Sequence, residues 1–333
     1  MIPGGKKILV IRFSSIGDIV LTTPLVRCLS KQIDAEVHFL TKDAFREIVD
    51  VNPFIAKVYS IKNKVSEVIE DLKREGYDYI IDLHKNIRSL QVKMALSATN
   101  FSFHKLNFEK WLMVNFKIDH LPNVHIVDRY LQTVSSLGIV KDGEGLDYFI
   151  PPEKEIDAEQ FIFDKLKEKH SKYIAFAIGA AHATKRLPTE KIIEMCDRIN
   201  MPVILLGGPG DKETGKQIQI SAGEHVINTC GELKLHESAS LVRQAYKVLT
   251  HDTGMMHIAA AFGKDIISIW GNTIPEFGMY PYYSNGINNN ITIEVNGLSC
   301  RPCSKIGYQK CPKGHFNCMN QINFDKLADL ANN

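Results

Sequence analysis

Short apolar runs alternate with amphipathic segments along the whole chain. The runs are rich in β-branched residues, which predicts buried strands, while the segments between them carry apolar residues at helical spacing. In the first half the predicted strands are Lys7–Arg12, Glu36–Leu40, Lys57–Ile61 and Asp78–Leu83, and the predicted helices are Val20–Lys31, Ala44–Val51 and Lys64–Glu75. Strands that alternate with helices in this way form a parallel, doubly wound sheet.

The pattern breaks after about Asp142, at D-G-E-G-L-D-Y-F-I-P-P, and then starts again. Glycines and prolines at this density are typical of a linker. The second half has predicted strands at Tyr173–Ile178, Val203–Leu206, His225–Ile227, Lys247–Leu249 and Asp265–Trp270, and predicted helices at Thr189–Ile199, Lys212–Ala222, Glu237–Ala245 and Met255–Phe262. We therefore expect two domains, 1–150 and 151–333. The predicted fold class is α/β, with two tandem Rossmann-like domains that face a cleft.

The bulk composition limits the function classes. The chain has 333 residues, 44% of them hydrophobic, and a formal net charge of only +2. A charge this small argues against a general nucleic-acid binder. No apolar run is long enough to span a membrane, and Arg12 interrupts the first apolar run where a signal peptide would need continuity. We therefore expect a cytoplasmic protein.

Local charge is less even between residues 84 and 130. This segment has seven Lys or Arg against three acids, with four histidines and several Phe and Trp residues among them. Such a pattern fits a solvated helix face over an ordinary aromatic core. It also fits a surface that receives an anionic, partly apolar partner.

An acidic residue, Asp18, stands between the first predicted strand and the first predicted helix, in S-S-I-G-D. It can cap the helix, because a carboxylate there accepts backbone N–H bonds and faces the positive end of the helix dipole. The same position places it at the carboxyl edge of the sheet, where a general base would stand. Gly17 is expected to permit a tight turn before it.

Three loops after strands of the second half carry the remaining candidate groups. One loop, T-H-D-T-G-M-M-H, has an acid and a hydroxyl just before a predicted helix N-terminus, which favours phosphate binding. A second loop, A-T-K-R, has a hydroxyl and two cations, which could balance the charge of a diphosphate leaving group or could simply be solvated. The third loop, L-L-G-G-P-G-D-K-E, offers Asp211 or Glu213 to ribose hydroxyls. None of the loops has a G-x-x-x-x-G-K-[ST] or G-x-G-x-x-G pattern, so ATPases and NAD dehydrogenases lack their expected motifs.

Four of the seven cysteines lie close together near the C-terminus: Cys300, Cys303, Cys311 and Cys318. A C-x-x-C start in a reducing compartment is compatible with a structural zinc ion. Packed or reversibly oxidised thiols are the alternative.

Taken in order, four motifs resemble the bacterial glycosyltransferase family 9, which includes the ADP-heptose:lipopolysaccharide heptosyltransferases. The motifs are S-S-I-G-D, D-L-H-K-N-I-R-S, A-T-K-R-L-P and D-T-G-M-M-H-I-A-A-A-F-G. The resemblance implies the GT-B type of fold, with an acceptor-binding domain over residues 1–150 and a sugar-nucleotide-binding domain over 151–333. The family often has G-P-T after the last sheet strand, where this chain has G-N-T at 271–273.

The resemblance also implies residue roles. Asp18 matches the general base of an inverting, metal-independent transfer, and Lys185 matches a lysine against the donor phosphates. The implied donor-binding residues are Thr184, Lys185, Asp211, Asp252, Thr253, Gly254 and His257. The implied acceptor-binding residues are Ser15, Gly17, Arg88 and Arg129.

The expected reaction is transfer of heptose from ADP-L-glycero-D-manno-heptose to the lipopolysaccharide inner core. The implied partners are this nucleotide sugar and an anionic glycolipid, with peripheral contact at the cytoplasmic face of the inner membrane. No cofactor is expected beyond the candidate structural zinc. Another nucleotide-sugar donor, or a sugar-nucleotide epimerase on the same fold, remains the alternative.

Overall fold

The computed structural model describes residues 5–333, which divide into two compact units. The first unit comprises the described residues up to Leu106 together with Asn123–Phe149. The second comprises Asn107–Pro122 and Ile150–Asn333. The chain thus leaves the first unit inside the linker predicted from the sequence. Residues 107–122 lie in the second unit, although the sequence analysis assigned them to the first domain.

The first unit is built on one parallel sheet. Its elements are β1 (Lys7–Ile11), α1 (Ile16–Val20), α2 (Thr23–Ile33), β2 (Glu36–Lys42), α3 (Arg46–Asp50), β3 (Lys57–Ile61), α4 (Ile69–Glu75), β4 (Tyr79–Asp82), α5 (Ile87–Leu96), β5 (Thr99–Ser102) and, after an excursion into the second unit, α7 (Ile126–Gln132). Within its described residues the sheet has five strands in the order β3-β2-β1-β4-β5, and every pair is parallel.

The second unit also has one parallel sheet. Its elements are α6 (Asn107–Phe116), α8 (Ala158–Leu166), β6 (Ile174–Ala177), α9 (Thr189–Cys196), β7 (Val203–Leu206), α10 (Lys212–Ala222), β8 (Val226–Asn228), α11 (Leu235–Gln244), β9 (Lys247–His251), α12 (Gly254–Ala261), β10 (Ile266–Trp270), β11 (Asn290–Glu294), α13 (Asn317–Asn320) and α14 (Phe324–Asn332). Over the residues described, its six strands run in the order β11-β10-β9-β6-β7-β8. These two sheets confirm the predicted pair of Rossmann-like domains.

Two of the helices predicted for the first half begin later in the structure. The helix expected over Lys64–Glu75 is a 3-10 turn at Val65–Glu67 followed by α4 from Ile69. The helix expected over Val20–Lys31 is two helices, because α1 ends at Val20 and α2 starts at Thr23. Pro24 stands at the beginning of α2, where its missing N–H costs no hydrogen bond. The Thr23 hydroxyl donates to the Val20 carbonyl at 2.8 Å, which satisfies one carbonyl at the end of α1.

Strand order fixes where ligands can bind in each unit. In the first sheet the order reverses beside β1, with β2 on one side of it and β4 on the other. In the second sheet it reverses between β6 and β9. In open parallel sheets the loops that follow the strands diverge at such a point and leave room for a ligand. The candidate residues after β1, β4, β6 and β9 therefore lie at the expected places in their own sheets.

Each sheet is buried on both faces by apolar side chains. The central strands β1 and β6 consist almost entirely of residues with no exposed surface, as parallel strands under helices require. No helix within residues 5–333 is both long and apolar enough to cross a bilayer.

Candidate active site

Asp18 stands at the third position of α1, directly after the turn that leaves β1. Its Oδ2 accepts hydrogen bonds from the Ser15 backbone N–H at 3.1 Å and from the Ser15 hydroxyl at 2.8 Å. The carboxylate therefore caps the start of the helix, as one of the two sequence interpretations predicts. About a fifth of the side chain, 19%, remains exposed, so capping does not remove it from solvent.

Arg12, the first residue after β1, binds the other oxygen of Asp18. Its Nη2 lies 2.6 Å from Asp18 Oδ1. The same guanidinium donates from Nε to the Ser14 carbonyl and from Nη1 to the Leu83 carbonyl and the Tyr130 hydroxyl. One buried cation thus joins β1, the loop after β4 and α7 around the carboxylate.

These contacts decide the protonation state of Asp18. Burial by itself would raise the pKa of the carboxyl, but the Arg12 charge and the hydrogen bonds from Ser15 outweigh it and lower the pKa below its ordinary value. Two carboxylate oxygens offer about four lone-pair positions, and the described hydrogen bonds use three of them. An ionised Asp18 can therefore accept one further hydrogen bond, at Oδ1.

The loop after β4 is held by a second buried carboxylate, Asp82. It accepts the backbone N–H groups of His84 and Lys85, and its Oδ2 accepts from the Ser89 hydroxyl at 2.8 Å. The Lys93 ammonium lies 3.1 Å away. This network fixes the start of α5, where Arg88 is exposed to solvent.

Two other predicted acceptor residues lie inside the first unit. The Arg129 side chain is on α7 and is only 7% exposed, beside the Tyr130 that Arg12 contacts. Gly17 is buried and is the second residue of α1, so its backbone is helical and does not form the tight turn that the sequence suggested. Their contact with an acceptor stays a prediction.

In the second unit, Lys185 and Asp252 meet at the carboxyl ends of neighbouring strands. Lys185 ends a short 3-10 turn after β6, and Asp252 follows β9. The Lys185 ammonium lies 2.6 Å from Asp252 Oδ2, which also accepts a 2.8 Å hydrogen bond from the Thr273 hydroxyl. An ammonium has three N–H groups, so Lys185 can hold Asp252 and still donate to a phosphate.

The helix that follows, α12, begins at this ion pair. Thr253 is its N-cap residue and Gly254 its first residue, and the Thr253 side chain makes no capping hydrogen bond. The helix N-terminus therefore presents backbone N–H groups beside the Lys185 ammonium, which suits an anion. His257 lies within the first turn and is buried.

Thr184 has a different environment from the one that the sequence suggested. It is 2% exposed, and its hydroxyl donates to the Tyr308 carbonyl at 3.1 Å and accepts from the Tyr308 N–H at 2.8 Å. Its donor contact stays a prediction, since these bonds already use the hydroxyl. These two bonds attach the cysteine-rich segment, residues 300–318, to the loop that carries Lys185.

Further contacts attach the same segment to the loop after β10. Arg301 donates to the carbonyls of Gly271 and Thr273, and the Cys303 N–H donates to the Asn272 carbonyl. Thr273 in turn holds Asp252, so the segment supports both residues of the ion pair.

Asp211, a candidate for the ribose contact, is engaged within the protein. Its carboxylate accepts from the Gly208 N–H at 3.0 Å and from Arg186 at 3.1 Å. Gly179, in the loop after β6, lies close to this carboxylate: a Cβ at Gly179 would come within 2.4 Å of Asp211 Oδ2. A glycine at this position therefore leaves room for the Asp211 side chain. Glu213, the alternative from the sequence, is exposed on α10. The ribose contact therefore remains a prediction for either acid.

The four clustered cysteines are free thiols, of which Cys318 is buried and the other three are partly exposed. Burial raises the pKa of the Cys318 thiol to about 12, so zinc binding would have to release that proton. The closed tetrahedral site would need every sulfur about 2.3 Å from one ion.

Among residues 5–333, the only three metal-ligating atoms found within 4.8 Å of one another belong to Glu36, His38 and Glu75. The four clustered cysteines form no such group among the residues described. The zinc site stays a prediction that metal analysis would decide. In the Glu36, His38 and Glu75 group, the ammonium groups of Lys7 and Lys57 form ion pairs with Glu75. A metal ion there would have to compete with these two cations.

The polar residues that hold the candidate groups in place had no role assigned to them from the sequence. Arg12 was visible as a charge inside an apolar strand, but it served there only to exclude a signal peptide. Asp82 ends another apolar run in the same way. A buried strand seldom carries a charge without a partner, so each of these residues was a detectable sign of a polar site.

Replacing Arg12 by Gln should raise the pKa of Asp18, because the effect of burial then acts without the opposing positive charge. Carboxyl carbon NMR shifts of Asp18 across pH measure this change in pKa. In the wild type, the ionised Asp18 adds to the free energy of unfolding above the unfolded pKa of Asp, about 4, and this contribution is lost as pH falls through the lower folded pKa. Arg12→Lys, which keeps the charge, should retain a lowered pKa. Arg186→Gln in the second unit is the matched control, and an unchanged Asp18 pKa in Arg12→Gln would contradict the account.

Comparison with known proteins identifies the family and the fold of the chain. The chain is 27% identical over 311 residues to lipopolysaccharide heptosyltransferase 1 of Campylobacter coli, covering 86% of this chain and 87% of that protein. Its fold matches a crystal structure of a glycosyl transferase family 9 protein from Veillonella parvula, with a TM-score of 0.79, 22% identity and coverage of 99% and 97%. It also matches Escherichia coli heptosyltransferase WaaC with ADP-2-deoxy-2-fluoro heptose, with a TM-score of 0.62, 19% identity and coverage of 95% and 98%. Because the model of glycosyltransferase family 9 (heptosyltransferase) matches residues 65–312, the chain belongs to that family.

Proposed function

We propose that this protein transfers heptose from ADP-L-glycero-D-manno-heptose to the inner core of lipopolysaccharide, with inversion at the anomeric carbon. The observation that carries the proposal is Asp18, an ionised carboxylate with one unused lone pair at the switch point of the first sheet. The choice of ADP-heptose as donor is supported by the similar WaaC structure, which is a complex with ADP-2-deoxy-2-fluoro heptose.

On the acceptor side, Asp18 accepts the proton of the attacking hydroxyl at Oδ1. The hydroxyl oxygen forms its bond to the anomeric carbon while the bond from that carbon to the diphosphate oxygen breaks, and ADP leaves. Arg12 makes Asp18 a weaker base but keeps it ionised at neutral pH. Such a base is sufficient because the hydroxyl becomes acidic only as its oxygen bonds to the electron-poor sugar carbon.

On the donor side, Lys185 and the N-terminus of α12 supply positive charge to the diphosphate. The attraction between these positive groups and the diphosphate grows as the leaving group becomes more negative in the transition state. This stronger attraction lowers the barrier. Asp252 holds Lys185 at 2.6 Å and so fixes the ammonium before the donor binds. We propose that these groups make added divalent cation unnecessary.

The proposed setting is the cytoplasmic face of the inner membrane, where an anionic, lipid-linked acceptor would be met. Exposed Arg88, at the start of α5, is positioned to contact a phosphate or carboxylate of that acceptor. The cytoplasmic location and the choice of heptose over another sugar are part of the proposal.

Asp18→Asn should lower kcat by about 10²–10⁴-fold, because the amide cannot accept the proton. Transfer from ADP-heptose to heptose-free core lipopolysaccharide, followed by mass spectrometry, measures the rate. The control is Asp71→Asn, which removes an exposed carboxylate on α4 and should leave the rate unchanged. A folded Asp18→Asn variant with wild-type kcat would exclude the base. Conversion of the donor in the absence of acceptor would instead favour an epimerase.

Lys185→Gln should lower kcat by about 10²-fold through loss of charge at the leaving group. The single change also leaves Asp252 without its cation, so the double variant with Asp252→Asn separates the two effects. If the charge acts on the donor, the double variant stays slow; if Lys185 only neutralises Asp252, the double variant recovers. The wild type should keep its rate with a chelator present, and a loss restored by Mg²⁺ would contradict the metal-independent reaction.

A further inference from the structure

Helix α6 (Asn107–Phe116) is strongly apolar, yet none of its residues is buried. Its sequence, N-F-E-K-W-L-M-V-N-F, has six apolar residues in ten. A helix of a soluble protein normally packs such residues against a core. A group of exposed apolar side chains of this kind is typical of a surface that binds a partner or a membrane.

The exposed side chains of α6 form one cluster, which we call the aromatic face: Phe108, Trp111 and Phe116. They are 66%, 50% and 58% exposed. Phe108 and Trp111 stack with ring centroids 6.1 Å apart, and Phe116 meets Trp111 edge-on at 5.2 Å. The three rings are therefore a continuous apolar surface rather than scattered single residues.

Lysines attach α6 to the second unit without covering the aromatic face. The Lys110 ammonium lies 5.2 Å from the centre of the Phe277 ring, Lys117 donates to the Pro302 carbonyl at 2.7 Å, and Lys305 lies 3.4 Å from Asn107 Oδ1. Residues 104–118 contain three lysines and one acid, Glu109, so the sequence that carries the aromatic face has a net positive charge.

We propose that the aromatic face of α6 docks this protein on an anionic lipid bilayer. Trp and Phe favour the boundary between headgroups and acyl chains, and nearby lysines are attracted to anionic headgroups. A second copy of the chain is a poorer occupant, because a symmetric contact places the same lysines opposite one another. The inference rests on the proposed function only for its setting, since a lipid-linked acceptor lies at such a surface.

The two tryptophans make the contact directly measurable. Trp111 is half exposed, whereas Trp270 is 1% exposed in β10. Vesicles of phosphatidylcholine with about a quarter phosphatidylglycerol should shift the Trp111 emission to the blue, and brominated acyl chains should quench it. Phosphatidylcholine alone should bind more weakly, and about 0.5 M salt should weaken binding to the anionic vesicles.

Trp111→Ser should lower vesicle affinity by about tenfold or more in a sedimentation assay, since a buried aromatic ring contributes at least that factor. The matched control is Ile220→Ser, which removes an even more exposed apolar side chain on α10 and should bind as the wild type does. Trp111→Phe should retain most of the affinity. Transfer to a soluble, deacylated acceptor should be the same in all three variants.

Three results would overturn the proposal: no binding to anionic vesicles, equal binding by Trp111→Ser, or a wild-type dimer that Trp111→Ser dissociates in sedimentation velocity. The vesicle assay needs neither donor nor acceptor. Failure of heptosyl transfer with intact vesicle binding would therefore count against the proposed function alone, and the reverse result against docking alone.

Discussion

The arrangement of the first unit depends on one buried cation, the Arg12 guanidinium. Its hydrogen bonds reach the turn after β1, the Leu83 carbonyl after β4, the Tyr130 hydroxyl on α7 and the Asp18 carboxylate. A buried arginine needs partners of this kind, because an unpaired charge in the interior is strongly destabilising. The same contacts that satisfy Arg12 also fix the position and ionisation of Asp18, so stability and chemistry share one network.

Both sheets place their candidate groups by the same topological rule. Asp18 follows β1 beside the switch point of the first sheet, and Lys185 and Asp252 follow β6 and β9, which are neighbours at the switch point of the second. In the first sheet the partner charge of Asp18 is Arg12, which follows the same strand β1. In the second sheet the two partners come from loops after neighbouring strands. The fold therefore brings together residues that are far apart in sequence, such as Lys185 and Asp252.

Hydrophobic periodicity was sufficient to predict the alternation, the parallel sheets and the linker near residue 150, because buried parallel strands are continuous apolar runs. It missed the edge strands β5 and β11, whose residues are polar or partly exposed and so lack that pattern. It also could not place α6, since the contacts of Lys110 and Lys117 that attach it to the second unit are long-range. The motifs located Asp18 and Lys185, but the bonds of Thr184 to Tyr308 depend on tertiary packing that no local pattern encodes.

We propose Asp18 as the general base of an inverting transfer of heptose. The most direct test is the anomeric configuration of the product formed from ADP-heptose and heptose-free core, determined by NMR from one-bond carbon–hydrogen coupling. The account predicts a single new glycosidic linkage of configuration opposite to that of the donor. A product with retained configuration would contradict it, because Asp18 could not then act as the base of a single direct displacement.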